Sequence, residues 1–309
     1  MNPLAHTLLQ TLTDAIAVGS LYALIALGYT LVFGILKFIN FAHGDVFALG
    51  AWLTWYLATR VSTTHAPFNN PIVLAIFVPV GAVVLCAVVG FLIEFLAYKP
   101  LRDAPRLNVL ITAIGVSLFL ENAGQLFFGA QPQEVPLLLP DKVLAIVEGV
   151  RIHLVDVTVV ATAIVLMIGM DWLVYRTRLG AAMRAVSFNI NTAALMGIRV
   201  NSIVSITFVI GSALAGAAGF LFAMKHQLHQ TSDSVWLLLG MKAFIAAVVG
   251  GIGSVRGAVL GGLLIGLIEN FGVQYLSSDY RDVYVFLILI LVLLVRPTGI
   301  LGSPMAEKV

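Results

Sequence analysis

At 309 residues, with 60% hydrophobic and only 10% charged side chains and a net charge of +2, the chain is too apolar for a water-soluble domain. It also lacks the charge excess of a nucleic-acid or acidic-protein binder. A mean hydropathy of +1.03 places it in the bilayer, and its one cysteine, Cys86, has no partner for an internal disulfide and reads as a small packed hydrophobe.

A helix that crosses a ~30 Å hydrocarbon core needs ~20 mostly apolar residues. On that ruler the chain presents nine segments, at 12–36, 41–59, 71–96, 108–129, 157–175, 201–224, 235–250, 257–276 and 283–300. The opening "MNPLAHTLLQ" lacks the basic start of a cleavable signal, so 12–36 reads as a retained anchor. The second and seventh segments are short and each holds a charge, Asp45 and Lys242. If one of them is re-entrant, eight crossings remain, because irregular backbone at depth survives only when buried in protein or lining a wet cavity. The expected class is an all-α, polytopic membrane protein forming a single transmembrane domain over 1–309.

Basic residues concentrate on cytoplasmic loops. With the N-terminus outside and the C-terminus inside, eleven of the seventeen Lys and Arg residues fall in the cytoplasm, five fall outside, and Lys242 alone lies at depth. Two loops are long. The external one, 130–156, carries three prolines and the acids Glu134, Asp141 and Glu148, which suits some local structure and a docking surface. The internal one, 176–200, reads "RTRLGAAMRAVSFNINTAALMGIRV". It starts basic, offers Asn189 or Asn191 as a helix N-cap, continues as a short Ala-rich helix through Ala193 and Ala194, and stops at Gly197.

Small residues recur every four positions at Gly211, Ala215 and Gly219, at Gly257 and Gly261, and at Gly262 and Gly266, a spacing that lets helix backbones approach closely in lipid. Polar groups at depth are the informative class, since a charge at the bilayer centre costs ~2.5–3.5 kcal/mol on insertion scales and so faces a cavity or a partner. They are Asn40, His43, Asp45, Glu121, Asn122, Lys242, Glu269 and Asn270. Asp14, Glu94 and Asp171 lie nearer segment ends, where interfacial water suffices. The best partner for Lys242 is Glu269, because the short "GGIGSVRG" turn makes their helices neighbours and sets the two residues at similar depth; Glu121 and Asp45 are the other acids in reach. His43 and Asp45 are badly spaced for a metal, and no motif for nucleophilic catalysis or for cradling ATP phosphates is present. Neither a catalytic residue nor a cofactor site is expected in this chain.

Three blocks, "GSLYALIALGYTLVFGILKFINFAHGDVFALGAW" (19–52), "GMKAFIAAVVGGIGSVRGAVLGGLLIGLIEN" (240–270) and "LILVLLVRPTGILG" (289–302), resemble the permease subunit of bacterial branched-chain amino-acid ABC importers, the LivH type. The resemblance implies a type II importer-like permease in the bacterial inner membrane. It also implies a homologous second permease, two cytoplasmic ATPase subunits that bind the ATP and magnesium, and a periplasmic amino-acid-binding protein. The deep polar residues would then line a translocation path for branched-chain amino acids or hold the helices together, and 176–200 would carry the coupling helix, with Arg184, Ala185, Asn189, Asn191, Ala193, Ala194 and Gly197. This loop departs from the family pattern, since the acids and the proline expected after Ala185 are replaced by "VSFNIN", so no acid-to-ATPase salt bridge is implied. Permeases for urea, short amides or other small carboxylates share the same blocks. A proton-coupled secondary transporter using Glu121 and Glu269 is the rival of a different class.

Overall fold

Backbone in hydrocarbon has no water to bond, so its polar groups must be satisfied inside helices, and the computed structural model is built accordingly. It describes residues 3–61, 70–102, 104–129, 131, 133–136, 138, 143–147, 150–226 and 235–302. Among these, the chain forms α1 (Pro3–Leu36), α2 (Ala42–Tyr56), α3 (Pro71–Ile93), α4 (Arg106–Phe128), α5 (Leu154–Arg176), α6 (Arg178–Phe188), α7 (Ile190–Leu195), α8 (Val200–His226), α9 (Val235–Gly250), α10 (Val255–Tyr275) and α11 (Arg281–Val295). A π-helical turn, Leu57–Val61, prolongs α2, and Glu94–Tyr98 does the same for α3.

Six of these helices are long and apolar enough to cross a membrane. The other three expected crossings are short: α2 and α11 have 15 residues each and α9 has 16, or ~22–24 Å of helix against a ~30 Å core. Segment 283–300, expected to be one crossing, ends as a helix at Val295. Pro297 cannot continue it, and the chain turns back so that the Ile300 and Leu301 amides donate to the Val249 and Gly250 carbonyls at the end of α9. Two of the sequence blocks, "GGIGSVRG" and "RPTGILG", therefore meet at one corner, where Gly251 and Gly299 both adopt positive φ and their backbones touch.

The inner helix is α1, whose apolar stretch is 89% buried within the protein, followed by α8 at 61%. Around α1 pack α10, α8, α9 and α5, while α2 packs on α8, α3, α4 and α9. On the outside, α3, α4 and α5 turn large apolar side chains such as Ile76, Phe119 and Val165 outward, the face that meets lipid tails.

The glycine spacing read from the sequence is used for backbone contact. Gly262 and Gly266 of α10 sit on Ala23 and Gly19 of α1, while Gly257 and Gly261 face Gly250 and Ala246 of α9. On α8, Gly211 meets Gly28 of α1 and Gly219 meets the backbone of α2 from Phe47 to Ala51. Cys86 is buried between Gly50 and Gly216, as a packed hydrophobe should be.

Outside the bundle, the loop 130–156 departs from an all-α reading. Val143–Val147 (β1) and Val150–His153 (β2) form an antiparallel hairpin. It is held to α1 by Gln10, whose side chain accepts from the Arg151 amide at 3.0 Å and donates to its carbonyl at 3.4 Å.

The loop 176–200 holds two helices rather than one. Thr177 caps α6 by accepting from the Gly180 amide at 3.0 Å, and Asn189, not Asn191, caps α7 by accepting from Thr192 at 3.0 Å. Gly197, at φ 82°, ends α7 as expected.

Gly262→Leu should separate α1 from α10, because any Cβ there falls on the Ala23 backbone and overpacking of this kind costs ~1–3 kcal/mol or more. Gly124→Leu, where nothing lies within 4 Å, should be neutral. Thermal size-exclusion profiles of the two proteins in detergent distinguish them: the first loses its monodisperse peak at a lower temperature, and the second matches wild type.

Candidate functional site

Buried polar groups fall into three sets. The first lies where α2 begins. Asn40 accepts from the Tyr98 hydroxyl of the α3 extension at 2.7 Å. His43, 1% exposed, sets its ring edge-on to Tyr29 of α1 at 4.7 Å and lies against Gly28, where a Cβ would overlap the imidazole. Its Nε2 has no hydrogen-bond partner among the described residues. Asp45 accepts from Ser117 of α4 at 2.5 Å. Three polar residues within six positions thus reach three different helices, which fixes the rotation of a short helix with no apolar stripe to orient it. Each such bond contributes ~0.6 kcal/mol on average in a membrane.

Four of the other deep residues are also placed. Glu121 is half-buried one turn beyond Ser117 on α4, and Asn122 is exposed with its side-chain amide donating to the Leu118 carbonyl. Asn270 makes the same local bond to Gly266. The likeness of Glu121-Asn122 to Glu269-Asn270 stops there, since Glu269 is 0% exposed.

The second set is built on Glu269. Lys242 of α9 donates to its Oε1 at 2.9 Å, Tyr22 of α1 donates to its Oε2 at 2.7 Å, and Arg281 at the start of α11 donates through Nε to Oε1. Lys242 also pairs with Asp282 at 2.6 Å. The pairing of Lys242 with Glu269 expected from the short α9–α10 turn is present, and Glu121 and Asp45 take no part in it. Tyr22, Arg281 and Asp282 escape a reading of the sequence. Tyr22 looks like any aromatic in an apolar run, and the other two look like the polar flank of a crossing; their one signal is that they follow Glu269 across a short loop.

Two cations and two carboxylates give a cluster of zero net charge. Leaving Glu269 or Lys242, the two buried members, without its partner costs ~3–5 kcal/mol, whereas Arg281 and Asp282 are about half exposed and solvent screens them. The cluster forms the polar end of a cavity of about 320 Å³ between α1, α8, α9, α10 and α11, closed by Phe47 of α2.

The third set corrects an expectation. Glu94, read as an interfacial acid, is 0% exposed. It pairs with Arg102 and accepts from Ser205 of α8 at 2.6 Å, because α3 packs on α8 there and turns this side chain toward it. Among the described residues no group of three or more His, Cys, Asp or Glu could hold a metal.

Lys242→Met should lower the yield of folded protein and its melting temperature, since Glu269 then keeps only Tyr22 and Arg281 while Asp282 loses its cation. Adding Glu269→Gln should recover part of the loss. Membrane yield and thermal unfolding of the single and double variants check this, and a double variant worse than the sum of the singles would count against a shared charge balance.

The family described as "Branched-chain amino acid transport system / permease component" matches residues 11–294. The chain is 41% identical to the high-affinity branched-chain amino acid transport system permease protein BraD of Pseudomonas aeruginosa, over 99% of this chain and 100% of that one. It is 39% identical to the LivH permease protein of Escherichia coli K12, over 97% of each chain. A probable LivH of Methanocaldococcus jannaschii is 30% identical over 94% of this chain and 91% of its own. No solved structure matches the chain.

Proposed function

Because the chain belongs to the branched-chain amino-acid transport permease family, a multi-pass membrane protein of the transport class, we propose that it is the permease subunit of an ATP-binding-cassette importer that carries branched-chain amino acids. The observation that supports this most is similarity along the whole chain to permeases named for that cargo, 41% over 99% of its length. In this reading it sits in the bacterial inner membrane with its N-terminus outside and its C-terminus in the cytoplasm. The chain crosses nine times: the short α2 and α9 are enclosed by protein, while α11 turns large apolar side chains such as Leu287, Ile290 and Leu294 outward. It works with a homologous second permease, two ATPase subunits that bind the ATP and magnesium, and a periplasmic amino-acid-binding protein.

The shape of 176–200 supports a coupling role. Its two helices leave Phe188 91%, Leu195 88% and Met196 78% exposed, an apolar knob that costs free energy in water unless another protein covers it. The knob is tied to the bundle: Ser187 donates to the Gly34 carbonyl at the end of α1 at 2.6 Å and receives a bond from Lys37 at 3.4 Å. A push on α6 is thereby delivered to the innermost helix. Glu269, held by three donors, suits a fixed charge better than a proton carrier.

Deleting the gene for this chain should abolish high-affinity uptake of labelled leucine, isoleucine and valine in its own cells and leave urea uptake intact. Loss of urea or short-amide uptake instead would reassign the substrate. Leucine uptake by the purified chain alone, driven by a proton gradient in vesicles, would replace the importer with a secondary transporter.

Phe188→Asp combined with Leu195→Asp should leave the permease inserted and folded but reduce copurification of the ATPase subunits. ATP-driven uptake should drop by about tenfold or more, a loss of ~1.4 kcal/mol in coupling. Ala194→Lys, on the same exposed turn, should act in the same direction. Normal ATPase capture by the double variant would place the contact elsewhere.

A further inference from the structure

We propose that the cavity beside Glu269 is a binding site for the zwitterionic amino acid inside this permease, with the α-carboxylate on Arg281, the α-ammonium on Asp282 and the aliphatic side chain on the facing walls of α1 and α9. The proposal rests on the reading of the chain as an amino-acid permease and deepens it by naming where the cargo is held.

Hydrogen-bond capacity decides the assignment. Glu269 is 0% exposed and enclosed by three donors, Tyr22, Lys242 and Arg281, and the Lys242 ammonium is shared between Glu269 and Asp282. Arg281 uses only Nε, and Asp282 uses only Oδ1. The two terminal nitrogens of Arg281 and the Oδ2 of Asp282 make no bond among the described residues, and both side chains are about half exposed, at 50% and 45%. One unused cation therefore stands beside one unused anion at the same end of the cavity. A guanidinium edge is suited to a carboxylate, and a lone carboxylate oxygen is suited to an ammonium.

Charge balance selects the class of ligand. Lys242, Arg281, Glu269 and Asp282 sum to zero, so a neutral dipolar ligand leaves the balance intact, whereas a free acid or an amine adds a charge that the cluster does not offset. The rest of the lining is apolar apart from His226, with Phe47 and Phe222 beside the aliphatic side chains. Val18, Leu21 and Ile25 form one stripe of α1 at helical spacing, and Leu238 and Leu239 line the cavity from α9. About 320 Å³ lies at the small end of ligand cavities, which run ~300–1,000 Å³, and fits one amino acid rather than a peptide. Because the carboxylate and ammonium partners are already ordered by Glu269 and Lys242 yet half open to solvent, binding is weak. That suits a site that must release what a binding protein delivers.

A zwitterionic lipid headgroup shares this chemistry, and the test separates the two. Leu238→Cys, in the complete transporter reconstituted in vesicles, gives a thiol in the cavity wall, with Val18→Cys as a second probe on the opposite wall; Cys86 is buried, so the unsubstituted protein serves as the labelling blank. The rate of modification by a small water-soluble thiosulfonate is measured with leucine, with isocaproate, which lacks the ammonium, and with isoamylamine, which lacks the carboxylate. Leucine at high concentration should slow labelling about tenfold, the two half-ligands should not, and Arg281→Gln should abolish the protection. No protection by leucine at either probe, or equal protection by all three compounds, overturns the proposal. So does faster unprotected labelling in phosphatidylglycerol than in phosphatidylethanolamine vesicles without a leucine effect, which assigns the site to lipid. Leucine uptake by the unsubstituted complex is run alongside: uptake without protection sinks the site alone, and absence of leucine uptake sinks the transport reading.

Discussion

Tyr22 reaches Glu269 only because Gly19, Ala23, Gly262 and Gly266 let α1 and α10 touch backbone to backbone. In lipid there is no hydrophobic gain from pushing two apolar helices together, so close contact has to come from small residues that open van der Waals and weak C–H contacts along the whole crossing. Once α10 lies on α1, the short glycine turn brings α9 alongside, and the loop after Tyr275 brings the start of α11 to the same end. Lys242, Arg281 and Asp282 then converge on a carboxylate that the α1–α10 contact has already buried. The charge cluster is thus a consequence of glycine packing, and the cavity beside it is the space left where the side chains of α1 and α9 diverge from that contact.

A single buried charge is a liability in this setting, and several acids answer it with a cation, although buried Asp45 has only the Ser117 hydroxyl. Glu94 has Arg102 and Ser205, Asp156 has Lys225, and Asp171 has Arg256. Among the described residues, four charges share one site only around Glu269, and there Arg281 and Asp282 keep unused hydrogen-bonding capacity. The side chains at the polar start of α2 go instead to the α3 extension, α1 and α4 in turn.

The two ends of the bundle are linked through α1. One end of this helix holds the hairpin through Gln10, its middle supplies Val18, Leu21, Tyr22 and Ile25 to the cavity, and its last turn accepts from Ser187 of α6. In the proposed coupling, this 34-residue helix, buried along most of its length, is the element that joins the exposed knob at Phe188 and Leu195 to the cavity. Lys37, just past its end, takes a positive φ of 57°, a conformation disfavoured for a side chain other than glycine. It makes the sharp break that lets α2 start in a different direction.

Much of this was legible in the residues alone. Composition decided the solvent, the ~20-residue ruler found the helices, and the four-residue glycine spacing announced which surfaces would touch. The partnership of Lys242 with Glu269 was readable because a short turn fixes which helices are neighbours and how deep each residue lies. Asn189 and Gly197 were readable as the ends of α7 because caps are local. Which helix of the bundle is innermost was not readable, since lipid tails are as apolar as a protein core and erase the periodic contrast that marks the inner face of a soluble helix. The partners of Asn40, His43 and Asp45, the burial of Glu94, the fold-back of 296–302 onto α9 and the arrival of Tyr22, Arg281 and Asp282 at Glu269 all depend on contacts between segments far apart in sequence. Only the packing of the helices could decide them, because a polar side chain in a membrane takes whichever partner the neighbouring helix happens to place beside it.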